Sequence, residues 1–106
     1  MAKHLDELES RRRGNAVRRI VPSEAARLTG LQILAALRRE LGNLDQIQRL
    51  VKTLGMVNCA PGFNTPSLVL NGCSDLMVEV FGDAGRHTRS AIGVAELYAD
   101  IPIEVE

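Results

Sequence analysis

The sequence predicts an α+β domain, and three observations carry that expectation. Two segments place apolar residues three and four positions apart, as helices with one buried side do. The C-terminal segment alternates apolar and charged residues, as a half-buried strand does. Runs rich in Pro, Gly and Asn separate these elements. With 106 residues, 45% of them apolar, the chain has enough material for one compact core and no room for a second domain.

The first helix is expected after Pro22, because Ser23 can cap free amides and Glu24 places negative charge in the first turn. Ala26, Gly30, Ile33, Leu34, Leu37 and Leu41 fall on one face, and Gly42-Asn43 supplies the stop. Ile47 to Asn58 suits helix and strand about equally. Leu50, Leu54 and Val57 have helical spacing, whereas Val51, Thr53 and Leu54-Gly55-Met56-Val57 suit a strand. Cys59 to Pro66 reads as a loop. A second helix is expected from Ser74 to Phe81, with Leu76, Met77, Val80 and Phe81 at helical spacing and Gly82 and Gly85 at its end. Ala91 to Leu97 is strand-like, Tyr98-Ala99-Asp100 turns, and Ile101, Ile103 and Val105 alternate with Pro102, Glu104 and Glu106.

Residues 1–22 stand apart as a basic tail expected to be disordered, leaving 23–106 as one domain. Lys3, Arg11, Arg12, Arg13, Arg18 and Arg19 outnumber Asp6, Glu7 and Glu9 there, with no apolar period. The whole chain has a formal net charge of zero, so no global field draws it to nucleic acid or membrane. An arginine-rich arm in a chain without Trp is ordinarily solvated rather than an RNA platform. Cys59 and Cys73 form no Cys-x-x-Cys pair and have no clustered histidines beside them, which excludes a zinc motif and a disulfide scaffold. The absence of a signal-like apolar region or a membrane-length run leads to the expectation of a cytoplasmic protein.

The segment GRHTRSAIGVAELYADIPIEVE, residues 85–106, resembles the C-terminal signature of the reactive intermediate deaminase (Rid) family, also called YjgF or L-PSP. In that signature a small residue precedes an Arg, an apolar strand ends at Leu, and a hydrophobic-Glu-hydrophobic strand follows a short turn. Thr88-Arg89-Ser90, Ile92, Leu97 and Ile103-Glu104-Val105 occupy those places. Upstream, EAARLTGLQILAALRRELGNLDQIQRLVKTLGMVN is similar to the family's first helix and following strand, and VLNGCSDLMVEVFGDAG to its second helix. The similarity runs over residues 24–106. It implies a chorismate-mutase-like α+β fold, with two helices on one face of a mixed sheet, and makes Ile47–Asn58 mainly strand. Residues 1–22 do not resemble the family's N-terminal hairpin and third strand, and family members continue the last strand beyond the position of Glu106. The resemblance therefore implies a sheet and a pocket shortened at the N-terminal side.

The same resemblance implies a hydrolytic deaminase of small 2-imino or 2-enamino acids, of the 2-aminoacrylate or 2-iminobutyrate class, working as a homotrimer with sites between subunits. No metal or organic cofactor is expected. Arg89 would hold the substrate carboxylate, a role that suits a planar fork of donors. Glu104 would position the attacking water, although strand alternation alone explains an outward-facing glutamate there. Ser90 and Ala91 follow Arg89 at the site, Ala91 standing where several members carry cysteine. Asn71 and Ser74 lie near a polar position lining the family pocket, and the helix register does not choose between them. His87 replaces a proline common two residues before the Arg, and as a lone histidine it reads as structural. Cys73 and Cys59 read as small core residues, with Cys73 placed at the start of the second helix. The other readings are a non-catalytic or truncated member that binds small carboxylates, and an RNA-directed activity, since the family has carried ribonuclease and translation-inhibitor labels.

Overall fold

The computed structural model describes residues 22–106, so the expectation of a disordered tail over 1–22 lies, Pro22 apart, outside the described residues. Helix α1 spans Pro22–Leu41, strand β1 Lys52–Asn58, helix α2 Pro66–Phe81, strand β2 Thr88–Val94 and strand β3 Ile103–Val105. Single turns of 3-10 helix at Leu44–Gln46, Gly82–Gly85 and Tyr98–Asp100 join them. The chain order is thus helix, strand, helix, strand, strand.

The sheet has the order β2-β1-β3, with β2 parallel and β3 antiparallel to the central β1. The connection from β1 to β2 runs through α2, as a parallel pair requires. The return from β2 to β3 is a tight turn in which Ala99 and Asp100 adopt φ of 53° and 56°. Asn58 ties that turn down, its Nδ2 donating to Asp100 Oδ1 and to the Ile101 carbonyl, both at 3.1 Å. This is the α+β arrangement expected, with two helices packed on one face of a mixed sheet.

The helices meet the sheet through one alternating set of residues. Thr53, Gly55 and Val57 of β1 are buried, whereas Leu54, Met56 and Asn58 are half-buried and Lys52 is exposed. Gly55 admits Leu70 of α2 so closely that an added Cβ would stand 2.6 Å from a Leu70 methyl. Leu34, Leu70, Cys73 and Leu76 are the largest fully buried side chains. The stripe of α1 that reaches them is Ala25, Ala26, Gly30, Leu31, Leu34 and Ala35, so it is rotated from the expected one. Ile33 and Leu37 are half-buried and Leu41 is exposed. The small residues Ala26, Gly30 and Gly72 allow the helices to approach closely; a Cβ on Gly72 would meet the Ser23 carbonyl.

Helix α2 begins eight residues ahead of the expected Ser74, at Pro66, whose fixed φ and missing N–H suit a first helical position. Cys73 accordingly sits in mid-helix, with no free amides to activate its thiol. Burial pushes it up to about 11, against a smaller lowering by Arg89. Among the described residues, no helix is long and apolar enough to cross a membrane.

Candidate functional site

Arg89 occupies the second position of β2, paired with Thr53 of β1. Residues opposite one another in a ladder share a face, so Arg89 points to the helix side, as buried Thr53 does. There it meets the edge of α2. Its Nη1 donates to Ser74 Oγ at 3.0 Å, and its Nη2 donates to Asn71 Oδ1 at 2.6 Å and to the Ser67 carbonyl at 3.3 Å. Ser67, Asn71 and Ser74 follow each other at helical spacing, so one edge of α2 presents all three acceptors. Both candidates left open by the sequence, Asn71 and Ser74, are therefore partners of Arg89.

All three acceptors are uncharged. Among the described residues no carboxylate lies within ion-pair distance of Arg89; the acidic partners fall elsewhere, Glu79 on Arg27 and Asp83 on Arg86. A guanidinium has five N–H donors. Three are used here, which leaves two for a ligand.

His87, two residues before Arg89 and just ahead of β2, closes the other side of Ser74. Its Nε2 lies 3.0 Å from Ser74 Oγ and its Nδ1 lies 2.7 Å from the Gly85 carbonyl. The histidine is thus a partner of the candidate site rather than a lone structural residue. Its partners are thirteen residues away in sequence or supplied by main chain, so spacing carried no sign of them. Around this group opens a pocket of about 270 Å³, lined by Asn71, Ser74, Asp75 and Val78 of α2 and by Arg86, His87 and Arg89. Arg86 and Asp75 add a charge of each sign at the rim, and neither was singled out by the sequence.

The remaining expected site residues divide between the two faces. Ala91 pairs with Gly55 on the helix side, beneath α2. Ser90 pairs with Leu54 and Glu104 pairs with Met56, on the opposite face. Thr53 and Met56 are three positions apart on β1, so Arg89 and Glu104 project to opposite sides of the sheet. Within one chain, then, Arg89, Asn71, Ser74 and Ala91 share a side and Ser90 and Glu104 do not. Leu54, Met56 and Ile92 share that second face with Glu104, and no helix among the described residues covers it; Ile92 is 44% exposed. Among the described residues there is also no group of three or more His, Cys, Asp or Glu placed to hold a metal ion.

Residues 16–98 match the family described as "YjgF/chorismate mutase-like, putative endoribonuclease". Among curated proteins, Protein TCP17 of Trypanosoma cruzi is 45% identical over 83 residues, covering 77% of this chain and 52% of that protein. Among solved structures, protein Atu1372 of Agrobacterium tumefaciens, described as having unknown function, superposes with a TM-score of 0.76 at 37% identity, over 83% of this chain and 59% of that one. A Shewanella oneidensis protein described as "a putative endoribonuclease" superposes with a TM-score of 0.75 at 28% identity, over 84% of this chain and 61% of that one. The chain spans about half the length of the curated relative and about three fifths of the two structures. With the two-helix, mixed-sheet architecture and the match over residues 16–98, the chain belongs to the YjgF/chorismate mutase-like family.

Proposed function

We propose that the pocket at Arg89 binds the carboxylate of a small 2-imino or 2-enamino acid, and that the protein hydrolyses such compounds to a 2-oxo acid and ammonia. The observation that carries the reading is the Arg89 guanidinium, oriented by three neutral acceptors, without a carboxylate partner among the described residues, and with two donors to spare. A fork held in place before the ligand arrives loses little freedom on binding. In the reaction, water adds to the electrophilic C=N carbon and the nitrogen takes up a proton. Transfer of the hydroxyl proton to that nitrogen then breaks the C–N bond as the carbonyl forms, and ammonia leaves. Such a step needs placement more than strong catalysis.

The proposed assembly is a cytoplasmic homotrimer joined through the uncovered sheet faces. Glu104 lies on that face, so a neighbouring copy is what can bring a Glu104 toward an Arg89 pocket, where it would hold the water. A second reading is favoured by the same placement: within one chain the anchor and the glutamate are separated, as in a carboxylate-binding member without turnover.

Ammonia release from 2-iminobutyrate generated in solution by an amino-acid oxidase tests the first reading. Turnover above the spontaneous rate, lost in Arg89→Ala, supports it. Carboxylate binding without turnover supports the second. Steeply salt-dependent RNA binding without either would replace both by an RNA-directed activity.

A further inference from the structure

We infer that His87 is a positioning residue for the Ser74 hydroxyl, and that its protonation sets how tightly the Arg89 pocket holds an anion. The inference rests on the reading of Arg89 as a carboxylate anchor and extends it to a second group. It follows from the directions that the hydrogen bonds around Ser74 are forced to take.

Arg89 can only donate, so Ser74 Oγ accepts from it. The Gly85 carbonyl can only accept, so His87 Nδ1 carries a hydrogen. That leaves Nε2 to decide the arrangement. When His87 is neutral, Nε2 is an acceptor and must take the one hydroxyl hydrogen of Ser74 at their 3.0 Å contact. Ser74 then has only its remaining lone pair to turn to the pocket, which repels a carboxylate oxygen. When His87 is protonated, Nε2–H donates to Ser74 Oγ instead. Ser74 now accepts from both Arg89 and His87, and its hydroxyl hydrogen is released toward the pocket. One proton therefore adds a positive charge and also turns a repelling oxygen into a donor.

Among the described residues, the other charged groups near His87 are few. Asp75 lines the pocket from α2, and Arg86 and Arg89 line it from the His87 segment. Asp83 is taken up by Arg86 at 3.1 Å, and Lys52 opens β1 opposite Thr88. Cys73 stays a neutral thiol below about pH 11. Imidazole is the side chain whose charge changes between about pH 5 and 8. Among the described residues His87 is the only histidine, so the linkage at the pocket is assigned to it, with Asp75 as the control.

Titration calorimetry of the full chain with 2-oxobutyrate tests this, at pH values from 5.5 to 8.0 and in buffers of different ionisation enthalpy. The expected result is affinity about tenfold tighter at the acid end, as a charge-assisted bond of ordinary strength implies, with proton uptake on binding. His87→Gln and Ser74→Ala should flatten the pH dependence, and Asp75→Asn should keep it. A measurement without a substitution at the site guards against misfolding. In His4→Gln protein, the remaining imidazole signal in proton NMR belongs to His87, and saturating 2-oxobutyrate should raise its titration midpoint by about one pH unit, the reciprocal of the tenfold effect. An unchanged midpoint, a pH slope that survives His87→Gln, or no 2-oxobutyrate binding at any pH overturns the inference. Binding with the expected linkage but no ammonia release would sink the deaminase reading alone.

Discussion

Arg89 and Asn71 meet at 2.6 Å, joining the second position of a sheet strand to the middle of the helix that crosses over it. Together with the Ser74 contact, this bond aims a guanidinium along the edge of α2 while leaving its charge without an acidic partner among the described residues.

Arg89→Ala should weaken 2-oxobutyrate binding and any deaminase turnover by about 30- to 1000-fold, the range of roughly 2–4 kcal/mol for a charge-assisted pair in a partly desolvated site. Arg89→Lys keeps the charge but loses the fork, so it should also fail, less severely. Calorimetry and an ammonia assay measure the two effects. Retention of both within a factor of two, at unchanged thermal stability, would show that Arg89 is not the anchor.

Glu104→Gln should leave carboxylate binding by a single copy intact, because Glu104 and Arg89 face opposite sides of the sheet. If Glu104 holds water at a contact between copies, turnover should fall while KM changes little. Light scattering should find a trimer, and a monodisperse monomer that still turns over substrate would refute the shared site.

Gly55→Ala should cost about 1–3 kcal/mol, since the new methyl would stand 2.6 Å from a fully buried Leu70 methyl. Gly72→Ala should cost at least as much, because its methyl meets the Ser23 main chain, which can yield only if the helices part. Thermal melts read both, at about 4–8 °C per kcal/mol for a domain of this size. An unchanged melting temperature for Gly72→Ala would contradict the close helix pairing.

Cys73 makes stability depend on alkaline pH. Its thiol is raised from 9.0 to about 11 by burial, with Arg89 opposing, so the native state keeps the proton where the unfolded chain releases it. The contribution is complete below about pH 9 and disappears as pH rises to 11, for a total of about 2–3 kcal/mol. Urea melts at pH 8, 9.5 and 11 should show a stability loss in the unmutated protein that Cys73→Ala lacks.

The sequence by itself determined the turn at Tyr98–Asp100, through its turn residues, and the family, because the matching segments occur in order; the strand at Ile47–Asn58, which spacing left even between helix and strand, followed from that resemblance. It also singled out Arg89, Asn71 and Ser74. Only the tertiary structure decided which stripe of α1 is buried, since Ala25, Leu31 and Ala35 are chosen by the surface of α2 and not by α1 alone. The same holds for the start of α2, where Pro66 opens the helix and Val69 and Leu70 pack into the core, eight residues ahead of the Ser74 start that the spacing predicts. The partners of His87 and the opposite placement of Glu104 were likewise beyond the sequence. Each depends on strand register, and a shift of one residue in register exchanges the two faces of a sheet.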